Sequence, residues 1–275
     1  MLLQEKEIAM TPIAQIEAAT QTLAVAQPGT TSQAPAASRT VREIALEQPA
    51  AMRVFENFGI DYCCGGGKTL AEACAARAVG VDRVVAALEF AAIAPAPAAE
   101  DWTRGSLEEL TAHIVATHHA YVKKELPRLA TLAEIVVKRH GAAHPKLPEL
   151  QAALARLDEE LSQHLGKEET ILFPYIAQLE GFLTGQAPRP TACFGAVAKP
   201  IQKMTREHEA AGALLAQMRC LSSNFTAPEE ACPTFHAFYD GLREFEQDLH
   251  RHIRLENNIL FPRAVAMEAA LEGSR

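Results

Sequence analysis

The sequence is poor in aromatic residues, poor in basic charge and without a long apolar run, and each shortage closes a class of function. Phe, Trp and Tyr make up 6% of its 275 residues, against 48% hydrophobic in total. A core drawn from aliphatic and small apolar side chains suits packed helices better than a sandwich of short strands, which leans on aromatic and β-branched residues. Lys and Arg number 26 against 34 Asp and Glu, a formal charge of −8. That balance lacks the basic footprint that DNA or RNA binding needs, so no nucleic-acid partner is expected. No apolar stretch reaches the roughly 18–20 residues that span a bilayer. Glu5 and Glu7 in the opening MLLQEKEIAM argue against a secretory leader. No membrane partner is expected, and a cytoplasmic location is. Six cysteines, two of them adjacent, do not make the disulfide framework of a small secreted domain.

What is present falls into four stretches. Residues 1–39 are rich in Ala, Thr, Gln and Pro, and cannot bury enough surface to offset their ordering entropy; they are expected to form a disordered extension. Order begins at Thr40-Val41-Arg42-Glu43, a capping-box pattern. Helices are expected over Pro49 to Phe58, ended by Gly59, then near Leu70–Arg77 and Val81–Ala92, making a small helical domain over residues 40–92. Fifty residues are few for an independent core, so this piece reads as an appendage of a larger domain. A Pro/Ala linker covers 93–104. Beyond it, four long helical segments are expected from about Ser106 to Arg139, Leu147 to Glu180, Val197 to Ser223 and Ala227 to Met267. With short links inside each pair, they read as an all-α, up-and-down four-helix bundle over residues 105–270.

The bundle carries a repeated pattern. His164-Leu165-Gly166-Lys167-Glu168 runs on to Leu172-Phe173-Pro174, and His252-Ile253-Arg254-Leu255-Glu256 runs on to Leu260-Phe261-Pro262, offset by 88 residues. The other two segments carry His119 and His208, offset by 89. Residues i and i+4 share one helix face, so each His-x3-Glu can aim a nitrogen and a carboxylate at one point. Antiparallel packing brings all four positions to one level of the core. A lone core histidine is usually hydrogen-bonded structure; a matched pair of His-x3-Glu motifs with two further mid-helix histidines reads as a metal site. Four His and two Glu exceed the four ligands of one zinc. Shared over two metals, they supply two His to each and two bridging carboxylates, and this all-N/O set with open positions suits iron or manganese. The Leu-Phe-Pro tails read as core packing and a helix kink or end.

On these residues the bundle resembles the hemerythrin-like family. From about Thr40 onward the chain resembles the di-iron "repair of iron centres" proteins of the ScdA/YtfE type, which join a small N-terminal ScdA domain with a DYCCGG motif to such a bundle. Here that motif stands as Asp61-Tyr62-Cys63-Cys64-Gly65-Gly66. The resemblance implies His119, His164, Glu168, His208, His252 and Glu256 as ligands of two oxygen-bridged Fe ions. It also implies repair of iron–sulfur clusters damaged by nitric oxide or peroxide, with damaged or apo iron–sulfur proteins as partners, nitric oxide or oxygen as small ligands, a cytoplasmic setting and a homodimer. One departure stands out. Oxygen-carrying hemerythrins place a further His one turn after the third-helix ligand, where this chain has Gly212, which argues against reversible oxygen carriage and for a more labile site.

The remaining candidates are weaker. Lys68-Thr69 after three glycines is no phosphate loop, since Tyr62 stands where its first Gly should. Adjacent Cys63 and Cys64 lack the spacing of a zinc clamp; they read either as buried structural residues or as a thiol pair that takes iron or meets a client. Cys74, Cys193, Cys220 and Cys232 are scattered and expected to be inert. His140 lies about 32 Å from His119 along one helix and is not expected to share its metal. His118 points about 100° away from His119, and His113, His144, His236 and His250 read as surface or packing residues. Glu160 and Asp248, four residues before His164 and His252, are candidates for orienting those rings. Three functions fit this site: iron delivery for cluster repair, reduction of nitric oxide or peroxide, and sensing of a diatomic gas.

Overall fold

The computed structural model describes residues 36–48, 50–62, 66–93, 102–191 and 194–273. The extension before Ala36, Pro49, Cys63, Cys64, Cys193 and the linker residues 94–101 lie outside them. Among the described residues there is no strand, only an isolated antiparallel bridge between Thr40 and Thr69. No described helix is long and apolar enough to cross a membrane.

Four short helices come first: α1 (Val41–Glu47), α2 (Ala51–Phe58), α3 (Leu70–Ala76) and α4 (Val81–Ile93). The expected capping box is formed, with the Thr40 amide donating to Glu43 and the Glu43 amide donating to the Thr40 hydroxyl. A second box, Thr69 with Glu72, starts α3 in the same way. Gly59 ends α2 in the left-handed region at φ 65°, a conformation most side chains avoid. Apolar faces of these helices (Ile44, Phe55, Leu70, Val84) are continuous with the buried residues of the bundle, so the small helical piece shares the larger core.

The bundle consists of α5 (107–140), α6 (147–183), α7 (Ala198–Leu221) and α8 (233–273). Helix α5 packs on α6 and α8, and α6 packs on α7. The six-residue link between α5 and α6 spans at most about 20 Å, far less than either helix, so the two run antiparallel. Helix α8 starts at Pro233 rather than near Ala227, because Pro228 and Pro233 confine the intervening stretch to a loop. Pro127 leaves α5 continuous from Ala120 to His140.

Three of the four long helices contain a π-helical turn: Val115–His119 in α5, Glu168–Leu172 in α6 and Leu255–Leu260 in α8. The helices do not end at Leu-Phe-Pro. Instead Pro174 and Pro262 sit in the first turn of the α-helix that resumes, where the missing N–H costs least. The buried apolar residues form two clusters. One holds Leu107, Ile114, Leu172, Phe173, Ile201, Met204, Leu260 and Phe261. The other holds Val122 to Val136, Leu147 to Leu165, Ala211 to Met218 and Phe235 to Ile253 of the four helices. The division falls at the same level in every helix, and there the His and Glu residues lie.

At one end of the bundle Glu180 of α6 covers the first turn of α5. It accepts from the Ser106 hydroxyl at 2.7 Å and from the amides of Leu107 and Glu108, both at 2.9 Å. Burial alone would raise its pKa; those amides and the hydroxyl outweigh burial and hold it below the usual carboxylate value. The stabilisation is therefore present above about pH 4.5 and is lost as the pH falls through the depressed value. Glu180→Ala should cost about 1–2 kcal/mol at neutral pH, the scale of a lost helix cap. Chemical denaturation at pH 7 and at pH 3 checks this, since the difference between variant and parent should shrink at the lower pH.

Candidate metal centre

His119, His164, His208, His252, Glu168 and Glu256, each from the middle of its helix, meet at the level between the two apolar clusters. All six are buried, and both glutamates have no exposed surface. Their donor atoms form two overlapping groups: His119, His252, Glu168 and Glu256, and His164, His208, Glu168 and Glu256, each with its atoms within 4.8 Å of one another. Each carboxylate divides its oxygens between the groups. Glu168 sets Oε1 3.3 Å from His164 Nε2 and Oε2 3.6 Å from His119 Nε2. Glu256 sets Oε1 2.9 Å from His252 Nε2 and Oε2 3.0 Å from His208 Nε2. Within each group the two imidazoles face each other through Nε2, at 3.1 Å for His119 and His252 and at 3.0 Å for His164 and His208.

Three of the four rings have their outward nitrogen engaged. His119 Nδ1–H donates to Glu169 at 2.8 Å, His164 Nδ1–H to Glu207 at 2.9 Å, and His208 Nδ1–H to Asn257 at 2.9 Å. A proton held on Nδ1 leaves the Nε2 lone pair facing inward. Lys123 and Lys167 in turn bind Glu169 and Glu207. Glu160 and Asp248 do not orient His164 and His252: Glu160 pairs with Arg156, and Asp248 accepts from His118. Both stand on the same regular α-helix as their histidine, and the outward nitrogen of His164 is taken by Glu207 instead. Glu168 and Glu169 are consecutive in one π-turn, as are Glu256 and Asn257 in another, so the first of each pair enters the cluster while the second reaches a histidine on a neighbouring helix. Nothing in the His-x3-Glu spacing announces these partners, although the residue after each Glu and the one before His208 occupy telling positions.

Aromatic contacts complete the packing. Phe173 stacks on His119 with ring centres 5.7 Å apart, and Phe261 on His208 at 5.9 Å, so the Phe of each Leu-Phe-Pro holds an imidazole of the cluster. His118 turns away from the donor groups, yet its ring lies parallel to that of His252 at 5.6 Å. His250 packs edge-on against Tyr62. His140 stands at the far end of α5, beside Cys232. Gly212 occupies α7 one turn after His208 and is half-buried.

The electrostatics are those of a site made for cations. Burial works against a proton on His164, but Glu168, Glu256 and Glu207 outweigh it and push the pKa up to about 9. His119 is raised in the same way, with Glu256 the chief partner opposing burial. Burial holds His252 down. Glu256 is kept well below the usual carboxylate range: His252, His119 and His208 overcome the effect of burial. Both oxygens of Glu168 are buried with no hydrogen-bond partner, an arrangement that is costly unless a cation is nearby. Imidazole nitrogens about 3 Å apart also match two ligands set at right angles around one transition metal, at roughly 2.1 Å each. The residues fit two metal ions.

The small helical piece is fastened to the helix that carries His252 and Glu256. Arg251 donates to both oxygens of Glu56 at 3.0 and 2.9 Å, Tyr62 donates to Glu56 at 3.0 Å, and Arg254 donates to the Ala45 carbonyl at 3.1 Å.

Comparison with known proteins agrees with this architecture. Residues 110–264 match the family described as the Hemerythrin HHE cation binding domain. Residues 37–92 match ScdA_N, described as a domain of unknown function. The chain is 42% identical over 227 residues to the iron-sulfur cluster repair protein YtfE of Escherichia coli O81 (strain ED1a), covering 82% of this chain and 96% of that protein. It is 41% identical over the same length and shares to the proteins of that name from Escherichia coli O1:K1 / APEC and Escherichia fergusonii. With a cation-binding HHE bundle, an ScdA_N region and relatives matched over nearly their whole length, this chain belongs to the YtfE family of hemerythrin-like proteins.

Proposed function

We propose that this protein repairs iron–sulfur clusters damaged by nitrosative or oxidative stress, and that it does so by delivering iron. The observation that carries the reading is the division of Glu168 and Glu256 between two histidine pairs, which suits two irons held side by side. The relatives' name, iron-sulfur cluster repair protein, points to the same use. His119, His252 and one oxygen from each glutamate would hold one iron; His164, His208 and the remaining oxygens would hold the other. Two such irons would supply a redox-active centre open to nitric oxide or oxygen. Glu169, Glu207 and Asn257 keep three imidazoles aimed inward, and protons that occupy the metal-free cluster leave as iron enters. The cellular setting on this reading is the cytoplasm, and the partners are damaged or apo iron–sulfur proteins.

The test is transfer. Iron-loaded protein, mixed without oxygen with a [4Fe–4S] protein bleached by nitric oxide and a sulfide source, should lose iron as the client's cluster absorbance returns. Equal recovery with metal-free protein would overturn the proposal.

Cys63 and Cys64 are proposed as the thiols that meet the client or pass iron to it. The double replacement by Ser should then leave the iron content of the bundle unchanged and slow client recovery about tenfold or more. Loss of iron with normal recovery would reverse the assignment.

A further inference from the structure

Far from the histidine and glutamate cluster, at the opposite end of α5, two helix ends meet. His140 is the last residue of α5, and Cys232 is the N-cap residue of α8. His140 Nε2 lies 3.2 Å from Cys232 Sγ. The ring of His140 rests on Phe235, with centres 5.3 Å apart, and His144 packs edge-on against the same ring. The C-terminal end of a helix carries partial negative charge and stabilises a cation, while the N-terminal end carries partial positive charge and stabilises an anion. The imidazole occupies the first kind of end and the sulfur the second. The start of α8 therefore favours an anion at the sulfur, and the His140 ring nitrogen stands within hydrogen-bond reach of it.

The surroundings act in the same direction. The backbone amide of Phe235 holds the thiol below its ordinary value, and the Thr234 amide and hydroxyl with Arg139 help it to outweigh burial, which acts the other way. Glu230, the nearest acid in sequence, is three-quarters exposed and pairs with His144. The other described cysteines differ: Cys74 is buried and its thiol is pushed up by burial, while Cys220 is exposed. Cys232 is half-buried, which leaves a small reagent a way to the sulfur. Sequence alone marks it as inert, because its partner stands 92 residues away.

We propose that Cys232, paired with His140, is a reactive thiolate and a site of reversible oxidation by hydrogen peroxide. A sulfur lone pair attacks one peroxide oxygen, the S–O bond forms and the O–O bond breaks. The proton that the thiol gives up to His140 Nε2 passes to the departing hydroxide, which leaves as water. The sulfur is oxidised by two electrons to the sulfenic acid, and peroxide is reduced by the same two. A thiol such as glutathione restores the cysteine through a mixed disulfide. The pair uses none of the residues of the metal centre, so the inference does not depend on the function proposed above.

The test uses the full chain with its metals. Protein is treated with hydrogen peroxide in the presence of dimedone, which captures sulfenic acids, and cleaved by a Glu-specific protease that separates Cys220 from Cys232 at Glu229 and Glu230. At pH 6.5 Cys232 should be labelled at least tenfold faster than Cys220, and His140→Asn should slow it about tenfold while leaving Cys220 unchanged. A second measurement needs no variant: between pH 6 and 8 the Cys232 rate should climb less steeply than that of Cys220, which rises about tenfold per unit as an ordinary thiol ionises. Parallel pH profiles for the two cysteines, or a Cys232 rate indifferent to His140→Asn in a folded protein, would overturn the proposal.

Discussion

If two irons are held as proposed, replacing Glu256 by Ala should strip the protein of both, whereas replacing His119 by Ala should cost it one. The difference follows from how the donors are shared. Glu256 has one oxygen beside His252 and the other beside His208, so its loss removes a ligand from each half of the cluster. His119 Nε2 belongs to one half only. Iron content of protein reconstituted without oxygen should fall from about two per chain to well below one for Glu256→Ala or Glu168→Ala, and to about one for His119→Ala, on the ligand count such sites need. Glu169→Ala removes an outer partner rather than a ligand, and should weaken iron retention about 10- to 100-fold against a chelator without changing the stoichiometry under excess iron. Metal analysis decides it. One iron retained by Glu256→Ala would show that the carboxylate is not shared.

Removing the metal should destabilise the fold by about 3–5 kcal/mol, the scale of a buried charge left without its partner. For a chain of this size that lowers the melting temperature by about 10 °C. Glu168 and Glu256 have no exposed surface, and neither oxygen of Glu168 has a hydrogen-bond partner. Protons on His164 and His119 compensate in part, as their raised pKa values record. Calorimetry of loaded and chelator-treated protein measures the difference. The informative control is the double variant Glu168→Gln, Glu256→Gln, which cannot hold the metals but buries no charge. Without metal it should melt at or above the metal-free parent. A lower melting point would mean that packing, not charge, holds the centre together.

How much of this could be read from the sequence depends on the range over which each feature is encoded. His164 with Glu168 and His252 with Glu256 are local, one helical turn apart, and the repeat at 88 residues links them to each other. His119 and His208 emerge from the same repeat. The six residues that meet in the core were therefore legible before any helix was placed. Glu169, Glu207 and Asn257 were not, because each serves a histidine on a different helix, and in sequence a polar residue beside a candidate ligand looks like any solvated side chain. Asp248 and Glu160 do stand one α-helical turn before His252 and His164, but the first accepts from His118 and the second pairs with Arg156, contacts that the spacing does not encode. The capping box at Thr40 was legible from four residues; the cover that Glu180 gives α5 joins positions 73 residues apart and was not. Cys232 and His140 failed for the same reason.

The π-turns tie this protein to a count of residues as well as to their identity. A π-turn holds about one residue more than the α-turn it replaces. Deleting one residue from Leu255–Leu260 would let the stretch close to the α-turn it replaces, with the helix beyond it nearly in register. Phe261 on the His208 ring, Glu268 on Tyr175 and the Val197 amide, and Arg263 on the Trp102 and Gly105 carbonyls would keep their places, while the side chains inside the turn, Glu256 and Asn257 among them, would change direction. A deletion far more conservative in composition than many substitutions would thus spare the bundle and disarm the cluster. In evolutionary terms these three short stretches should tolerate exchange of their outward side chains and resist any change in length.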